Sequence, residues 1–168
     1  NDGAADSTVA TVAIKITPVN DIPVAVNDSY TVAEGGTLNI AAAGGVLAND
    51  TDAENNTLTA VLVSTVSHGT LTFNGDGSFI YVHDGSETTS DSFTYRANDG
   101  SVDSDDTSTV AITITPVNDI PVAVNDSYIV DEGSTLNVGL GLGVLANDTD
   151  PENDILTAVL VSTVSHGT

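Results

Sequence analysis

The segment DSFTYRANDG, residues 91–100, contains the clearest strand signal in the chain. Apolar and polar side chains alternate through it, as expected of a strand that buries one face and exposes the other. The turn residues Asn98, Asp99 and Gly100 then end the strand. The same alternation in 107–115 predicts a second strand of this kind. The residues predicted to face the core are Phe93, Tyr95, Ala97, Val110, Ile112 and Ile114.

Turn signals separate five further strand candidates from these two. Asn74-Gly75-Asp76-Gly77 lies between two alternating segments and predicts a hairpin, because glycine accepts positive φ. β-branched residues favour strands, while Asp, Asn and Gly interrupt helices, so we expect almost no helix. The predicted fold is all-β, with seven strands at 29–34, 37–41, 57–65, 69–74, 77–82, 91–98 and 107–115.

The chain repeats itself at an offset of 98 residues. TPVNDIPVAVNDSY occurs at 17–30 and at 115–128, and 43 of 54 positions agree between 17–70 and 115–168. A period near 100 residues is too long for a solenoid and fits one Ig-like sandwich per copy. We therefore divide the chain into the last strand of a preceding repeat plus linker, a complete repeat, and the first half of a following repeat. These parts are residues 1–19, 20–117 and 118–168.

The charge excludes several classes of protein. The 168 residues include 24 acidic and 2 basic side chains, which gives a net charge of -22. A nucleic-acid binder needs a basic surface, which Lys15 and Arg96 cannot make, and the apolar runs are too short for membrane insertion. There is no cysteine, so disulfides and thiolate metal sites are excluded. The bias toward Asp favours bound Ca²⁺ as the means of relieving repulsion.

An acidic loop, Asn49-Asp50-Thr51-Asp52-Ala53-Glu54-Asn55, recurs at 147–153 with Asp148 and Asp150 in the same places. Asp-x-Asp in an extended loop puts two carboxylates on one side, which suits a cation that takes six to eight hard oxygens. The loop is not an EF-hand, because its twelfth position is Val61 instead of Glu. The alternative is a solvated Asx-rich turn.

Other polar groups have a metal interpretation and a simpler one. Acid–amide pairs in the proline-bounded connectors could bridge two domains through a cation or could form Asx turns. The glutamate that follows the first strand is either a ligand or a surface residue, and Asp99 is either a ligand or part of a hairpin turn. The three histidines are predicted to be surface turn residues. The residues concerned are Asn20, Asp21, Asn118, Asp119, Glu34, Glu132, His68, His83 and His166.

The order of these motifs resembles cadherin-like sequences. It is more similar to the bacterial cadherin-like or Ig-like tandem repeats, of about 100 residues each, found in large secreted adhesins of the RTX type. The phrases that carry the resemblance are GVLANDTD, DGSFIY, DSFTYRANDG and TPVNDIPVA, at 45–52, 76–81, 91–100 and 115–123.

The resemblance implies Ca²⁺ at the junctions between repeats, with one or two ions at each. For the junction after the complete repeat it implies the ligands Glu34, Asp91, Asn118, Asp119, Asp148 and Asp150. For the junction before it, it implies Asn20, Asp21, Asp50, Asp52 and Asp99. Glu132 takes the place of Glu34 in the next copy.

The implied function is a structural extender, not an enzyme, in a bacterial surface or secreted adhesin that acts in cell adhesion and biofilm formation. Its expected location is extracellular. Its expected partners are neighbouring repeats of the same chain, with a cell-surface glycan or protein bound through other domains of the parent. Two alternatives stay open at this point: a carbohydrate- or protein-binding adhesive module, and a subunit of a self-assembling extracellular fibre.

Overall fold

The computed structural model describes residues 3–6 and 8–165 and is all-β. All seven predicted strands are present, and their bounds differ from the prediction by at most two residues. Short 3₁₀ turns lie at Ala42–Gly44 and Leu140–Leu142. The strands are β1 Asp28–Ala33, β2 Thr37–Ile40, β3 Thr59–Ser64, β4 Gly69–Phe73, β5 Phe79–His83, β6 Ser90–Asn98 and β7 Ser108–Thr115.

The strands form two sheets that pack as a sandwich. One sheet has the order β1-β7-β6-β3 and the other the order β2-β5-β4. Strand β1 runs parallel to β7, with Asp28 opposite Val110 and Ala33 opposite Thr115. The remaining strand pairs are antiparallel. This arrangement confirms the predicted seven-stranded Ig-like sandwich.

Aromatic side chains from facing strands fill the core. The ring centroids of Phe79 and Phe93 lie 5.2 Å apart in an edge-on contact, and those of Phe73 and Phe93 lie 5.5 Å apart. Burying each such ring stabilises the fold by roughly 1.5–3 kcal/mol. The predicted alternation in β6 and β7 is confirmed, because each of its six core residues is at most 2% exposed.

Charge is concentrated at the two ends of the sandwich. We call the end where β1 begins and β6 ends the N-terminal pole, and the end where β7 ends the C-terminal pole. Asp28 and Asp91 are the acidic residues within the seven strands, and both lie near strand ends. The other acidic residues of the complete repeat lie in the loops at the poles. The outer faces of the sheets are therefore almost free of carboxylates.

The first half of the following repeat keeps local features of the complete one. The isolated bridge Val24–Thr51 recurs as Val122–Thr149. Asn55 and Asn153 both have positive φ, at 57° and 60°. Among the described residues beyond Thr115 there is no strand longer than that bridge. The loop conformations thus form without a completed sandwich, and the division of the chain into three parts stays a prediction.

Candidate functional site

Three carboxylates from distant parts of the chain meet at the C-terminal pole. Glu34 follows β1, Glu87 lies in the loop between β5 and β6, and Asp119 lies in the linker after β7. One carboxylate oxygen from each lies within 4.8 Å of the other two. The parallel pairing of β1 and β7 causes part of this convergence, since the Glu34 N–H donates to the Thr115 carbonyl at 2.9 Å.

Two carboxylate oxygens at this junction are buried without a hydrogen-bond donor. Glu34 Oε2 accepts the Val117 N–H at 3.2 Å, while its Oε1 is buried and unpaired. Glu152 Oε1 accepts the Asp119 N–H at 2.7 Å, while its Oε2 is likewise buried and unpaired. Burying a polar atom without a partner is costly, and hard carboxylate oxygens are the ligands that Ca²⁺ prefers. These residues therefore fit a divalent cation.

The pKa of Glu87 shows that the electrostatic potential at the C-terminal pole is negative. Desolvation raises the pKa of its carboxyl, and repulsion from Glu34, Glu152 and Asp119 raises it further. Glu152 belongs to the segment after the linker, so acidic groups repel across the junction. A bound cation would reverse the sign of this interaction.

The N-terminal pole carries a related set of contacts. Asn20 Nδ2 donates to Asp99 Oδ2 at 2.7 Å, and the Asp21 N–H donates to Glu54 Oε2 at 3.1 Å. The Asn20 hydrogen bond is the main reason that the pKa of Asp99 lies below its usual value, and the Val102 N–H lowers it further. The linker and the hairpin turn at the end of β6 are thus joined directly.

Asp52 completes this set and has the third orphaned oxygen. Its Oδ1 accepts the N–H groups of Glu54 and Asn56, at 3.1 and 2.8 Å, and its Oδ2 is buried and unpaired. Asn56 Nδ2 lies 3.4 Å from Asn20 Oδ1. Of the five residues predicted for this junction, Asn20 therefore contacts Asp99 directly and Asp52 through Asn56, whereas Asp21 takes part through its backbone. Among the described residues, the carboxylates of Asp21, Asp52 and Asp99 do not converge as those of Glu34, Glu87 and Asp119 do.

Asp50 turns the other way, toward the core of its own domain. Its Oδ1 accepts the Val26 N–H at 2.7 Å, and both of its oxygens lie within 3.1 Å of the Tyr95 hydroxyl. Desolvation raises the pKa of Asp50, and desolvation together with the Asp50 charge raises the pKa of Asp28 to about 6. Asp148 makes the equivalent bond to the Val124 N–H at 2.8 Å.

The carboxylate of Asp91 is also hydrogen-bonded within its own domain. Its carboxylate accepts the N–H groups of Ser67, His68 and Ser92 at 2.8–3.0 Å, and the Tyr81 hydroxyl lies 3.1 Å away. Desolvation raises the pKa of Asp91, but these hydrogen bonds outweigh it and leave the pKa below its usual value. The three-carboxylate group does not include Asp91. A role for Asp50, Asp148 or Asp91 as a ligand stays a prediction.

The remaining predicted ligands lie in the linkers and loops, where the contacts are local. Asn118 Nδ2 donates to the Asp119 carbonyl at 2.8 Å, as Asn20 does to Asp21 at 3.0 Å. Asp150 Oδ1 accepts the Asp154 N–H at 2.9 Å. Glu132 is exposed in the turn closed by the Ser134 N–H and the Asp131 carbonyl.

The surface prediction for His83 is wrong. This side chain is 3% exposed. Its Nδ1 accepts the N–H groups of Gly35 and Gly85 at 3.1 and 3.3 Å, and its Nε2 lies 3.0 Å from Thr88 Oγ1. His83 therefore ties the turn after Glu34 to the loop that contains Glu87. Its position two residues after buried Tyr81 was a usable sign of burial. His166 lies outside the described residues.

Glu87 and Glu54, with its counterpart Glu152, were absent from the predicted ligand set. Glu54 and Glu152 stand inside the repeated acidic loop, so their recurrence was visible in the sequence. Their contacts to the linker amides 33 residues earlier were not visible. Glu87 has no counterpart within the chain, and only the folded structure places it beside Glu34 and Asp119.

Comparisons with protein families found two matches. The model described as "Bacterial cadherin-like domain" matches residues 20–116, and the model described as "Bacterial Ig domain" matches residues 118–168. A search of curated proteins found no match. Among the described residues, no helix has the length and apolar character needed to cross a membrane.

Two solved structures are similar over part of the chain. One is a variant of the endo-fucoidan hydrolase MfFcnA4 of glycoside hydrolase family 107, at 21% identity and a TM-score of 0.39, covering 68% of this chain and 18% of that one. The other is the endo-fucoidan hydrolase MfFcnA9 of the same family, at 20% identity and a TM-score of 0.35, covering 62% and 18%. The match thus spans under a fifth of each enzyme.

Proposed function

The chain belongs to the bacterial cadherin-like domain family, and from that membership we propose that it is a Ca²⁺-stiffened extender of a large bacterial surface or secreted adhesin. Domains of this family and of the bacterial Ig family are typically extracellular, non-enzymatic modules with structural or adhesive roles. The role in cell adhesion and biofilm formation, through distal adhesive domains held away from the cell, is part of the proposal.

The observation that carries the proposal is the pair of orphaned oxygens on Glu34 and Glu152. These residues approach the linker from the two repeats that it connects, and each already holds one linker amide. With Glu87 and Asp119 they form an oxygen-rich, strongly negative junction. Such a set is costly when it is empty and favourable around a hard cation.

The chain's own residues give the proposed mechanism. Without metal, repulsion among the four carboxylates favours separation of the repeats, and the linker can bend. Bound Ca²⁺ would supply positive charge that turns these carboxylates into ligands. Millimolar Ca²⁺ at a site with a dissociation constant of about 0.1 mM adds about 1.4 kcal/mol to the folded junction.

The aromatic side chains give less support to the carbohydrate-binding alternative. Recognition of a sugar normally uses an exposed aromatic face. Phe79, Tyr81, Phe93 and Tyr95 are each at most 1% exposed, since they form the core. We therefore prefer the extender to the binding module.

A thermal melt in EDTA, in millimolar CaCl₂ and in equal MgCl₂ tests the proposal, with ionic strength matched by NaCl. A specific oxygen cage predicts a clear rise in Tm with Ca²⁺ and a much smaller one with Mg²⁺, which prefers to keep its waters. Equal rises in both salts would reveal general charge screening. No rise in Ca²⁺ would contradict the proposed stiffening.

A further inference from the structure

We propose that the linker between repeats, which contains Asn20-Asp21 in one copy and Asn118-Asp119 in the next, is mechanically part of the repeat that follows it, and that bending is confined to Pro116 and Val117. Glu54, with its counterpart Glu152, is the positioning residue that clamps the linker. The clamp itself needs no metal. The effect of Ca²⁺ on the bending segment rests on the proposed function.

The segment that leads from the linker into β1, from Asn20 to Val26, is held at four successive points. Asn20 bonds to Asp99, the Asp21 N–H to Glu54, and the Val26 N–H to Asp50, at 2.7, 3.1 and 2.7 Å. Between them, Val24 and Thr51 exchange two backbone hydrogen bonds at 2.8 and 3.1 Å. Every one of these partners belongs to the repeat that follows the linker.

The same clamp recurs at the second linker. The Asp119 N–H bonds to Glu152 at 2.7 Å, and the Val124 N–H bonds to Asp148 at 2.8 Å. Val122 and Thr149 again exchange two hydrogen bonds, at 2.8 and 3.1 Å. These contacts form although the described part of the following repeat has no sheet of its own. The clamp is therefore a local property of the linker and the acidic loop.

Attachment to the preceding repeat is much weaker. Ladder pairing between β1 and β7 ends at Thr115, and Pro116 has no N–H with which to continue it. From there to Asp119, one hydrogen bond among the described residues reaches back, from the Val117 N–H to Glu34 at 3.2 Å. Proline fixes φ, but ψ of Pro116 and both torsions of Val117 stay free. These bonds are the ones about which one repeat can turn against the next.

The two oxygens of the clamping glutamate have separate uses. In Glu152 one oxygen holds a linker amide and the other is buried and unpaired beside the junction. Glutamine keeps an oxygen that can accept the same N–H but removes the charge, whereas alanine removes both. Substitution at Glu54, on the complete repeat, therefore separates positioning of the linker from charge.

The test is NMR-detected hydrogen exchange on the whole 168-residue chain, in EDTA and in CaCl₂. In EDTA we expect the amides of Val24 and Val26 to exchange more slowly than that of Val117. Glu54→Ala should speed exchange at Asp21 by about fivefold, as expected for one lost hydrogen bond, and Glu54→Gln should restore the protection. Unchanged exchange at core Ile112 would verify that each variant is folded.

Two results would overturn the inference. One is exchange of Val24 and Val26 in EDTA as fast as that of Val117. The other is a Glu54→Gln variant that behaves like Glu54→Ala, since that residue would then act through charge. Adding Ca²⁺ should slow exchange at Val117. Protected Val24 and Val26 amides with no Ca²⁺ effect at Val117 would support the clamp while contradicting the proposed function.

Discussion

The phenol oxygen of Tyr95 and Oδ2 of Asp50 lie 3.0 Å apart, although 45 residues separate them in sequence. The same hydroxyl lies 3.3 Å from Asp28 Oδ2 and 2.7 Å from the Val46 carbonyl. A phenol has one proton to donate, so it cannot satisfy every acceptor around it. Two carboxylates are thus held near each other at the edge of the core, where desolvation first and the Asp50 charge second raise the pKa of Asp28.

Neutralising Asp28 should stabilise the complete repeat. The pKa of Asp28 is 3.8 in the unfolded chain and rises to about 6 in the folded one. Protonation of the Asp28 carboxyl therefore favours the folded state, and this stabilisation is fully present below pH 3.8 and is lost as the pH rises through 6. In EDTA, stability should therefore rise as the pH falls from 7 to 5. Asp28→Asn should add about 1 kcal/mol at pH 7, discounted for partial exposure, and should flatten this profile.

Urea denaturation between pH 5 and 7.5 measures this effect. Asp105→Asn removes the same charge from an exposed loop at the same pole and is the matched control. Parallel pH profiles for wild type and Asp28→Asn would contradict the prediction.

Removing the His83 ring should destabilise the C-terminal pole. His83→Ala leaves the N–H groups of Gly35 and Gly85 without their acceptor and opens space beneath Tyr81. We expect a loss of about 2–3 kcal/mol in the free energy of unfolding, measured in urea at pH 7. His68→Ala is the control, because His68 contributes backbone groups to the described hydrogen bonds. Similar losses in both variants would show that the buried His83 ring contributes no more to the free energy of unfolding than the His68 ring does.

Gly69 should not tolerate a side chain. Its φ is +148°, and a Cβ there would lie 2.1 Å from the Val82 carbonyl oxygen in the neighbouring strand. Gly69→Ala should cost about 2 kcal/mol or more. Gly75→Ala, where a Cβ meets nothing within 4 Å, should change stability by less than about 0.5 kcal/mol. Thermal melts of the two variants provide the comparison, and equal Tm values would refute this prediction.

The double variant Glu34→Gln, Glu87→Gln should lose most of the Ca²⁺-induced rise in Tm. Both glutamines keep a carbonyl oxygen, so the Glu34 bond to Val117 can persist while two of the charged ligands are gone. In EDTA the variant should be at least as stable as wild type, because repulsion at the junction falls. Calorimetry with and without CaCl₂ measures both quantities. The double variant Asp105→Asn, Asp106→Asn is the control for charge alone, and an equal loss in it would argue for screening.

Much of the sandwich could be predicted because its signals are local. Alternation in β6 and β7 identifies their buried faces, and the Asn74–Gly77 hairpin recurs in the structure with a Gly77 φ of +82°. The buried face of a strand can be predicted from the residues of that strand alone. The repeat added the domain period, since identical segments have to occupy equivalent positions.

The candidate site was less predictable, because the direction of a carboxylate depends on the donors that the fold brings to it. Asp50 and Asp52 look alike in the sequence, yet Asp50 accepts the Val26 N–H and faces Tyr95, while Asp52 caps its own loop. Likewise Asp91 is occupied by the loop between β3 and β4. Contacts between such distant segments leave no periodic trace in the sequence.

The parallel pairing of β1 with β7 also determines how the complete repeat would respond to tension. The chain enters the sandwich along β1 and leaves along β7, so a pull on the two ends draws these adjacent strands past each other. Six residue pairs, from Asp28–Val110 to Ala33–Thr115, are then loaded in shear at the same time. An antiparallel pairing of first and last strands would be peeled apart one bond after another. The register of this strand pair therefore gives the repeat mechanical resistance along its long axis.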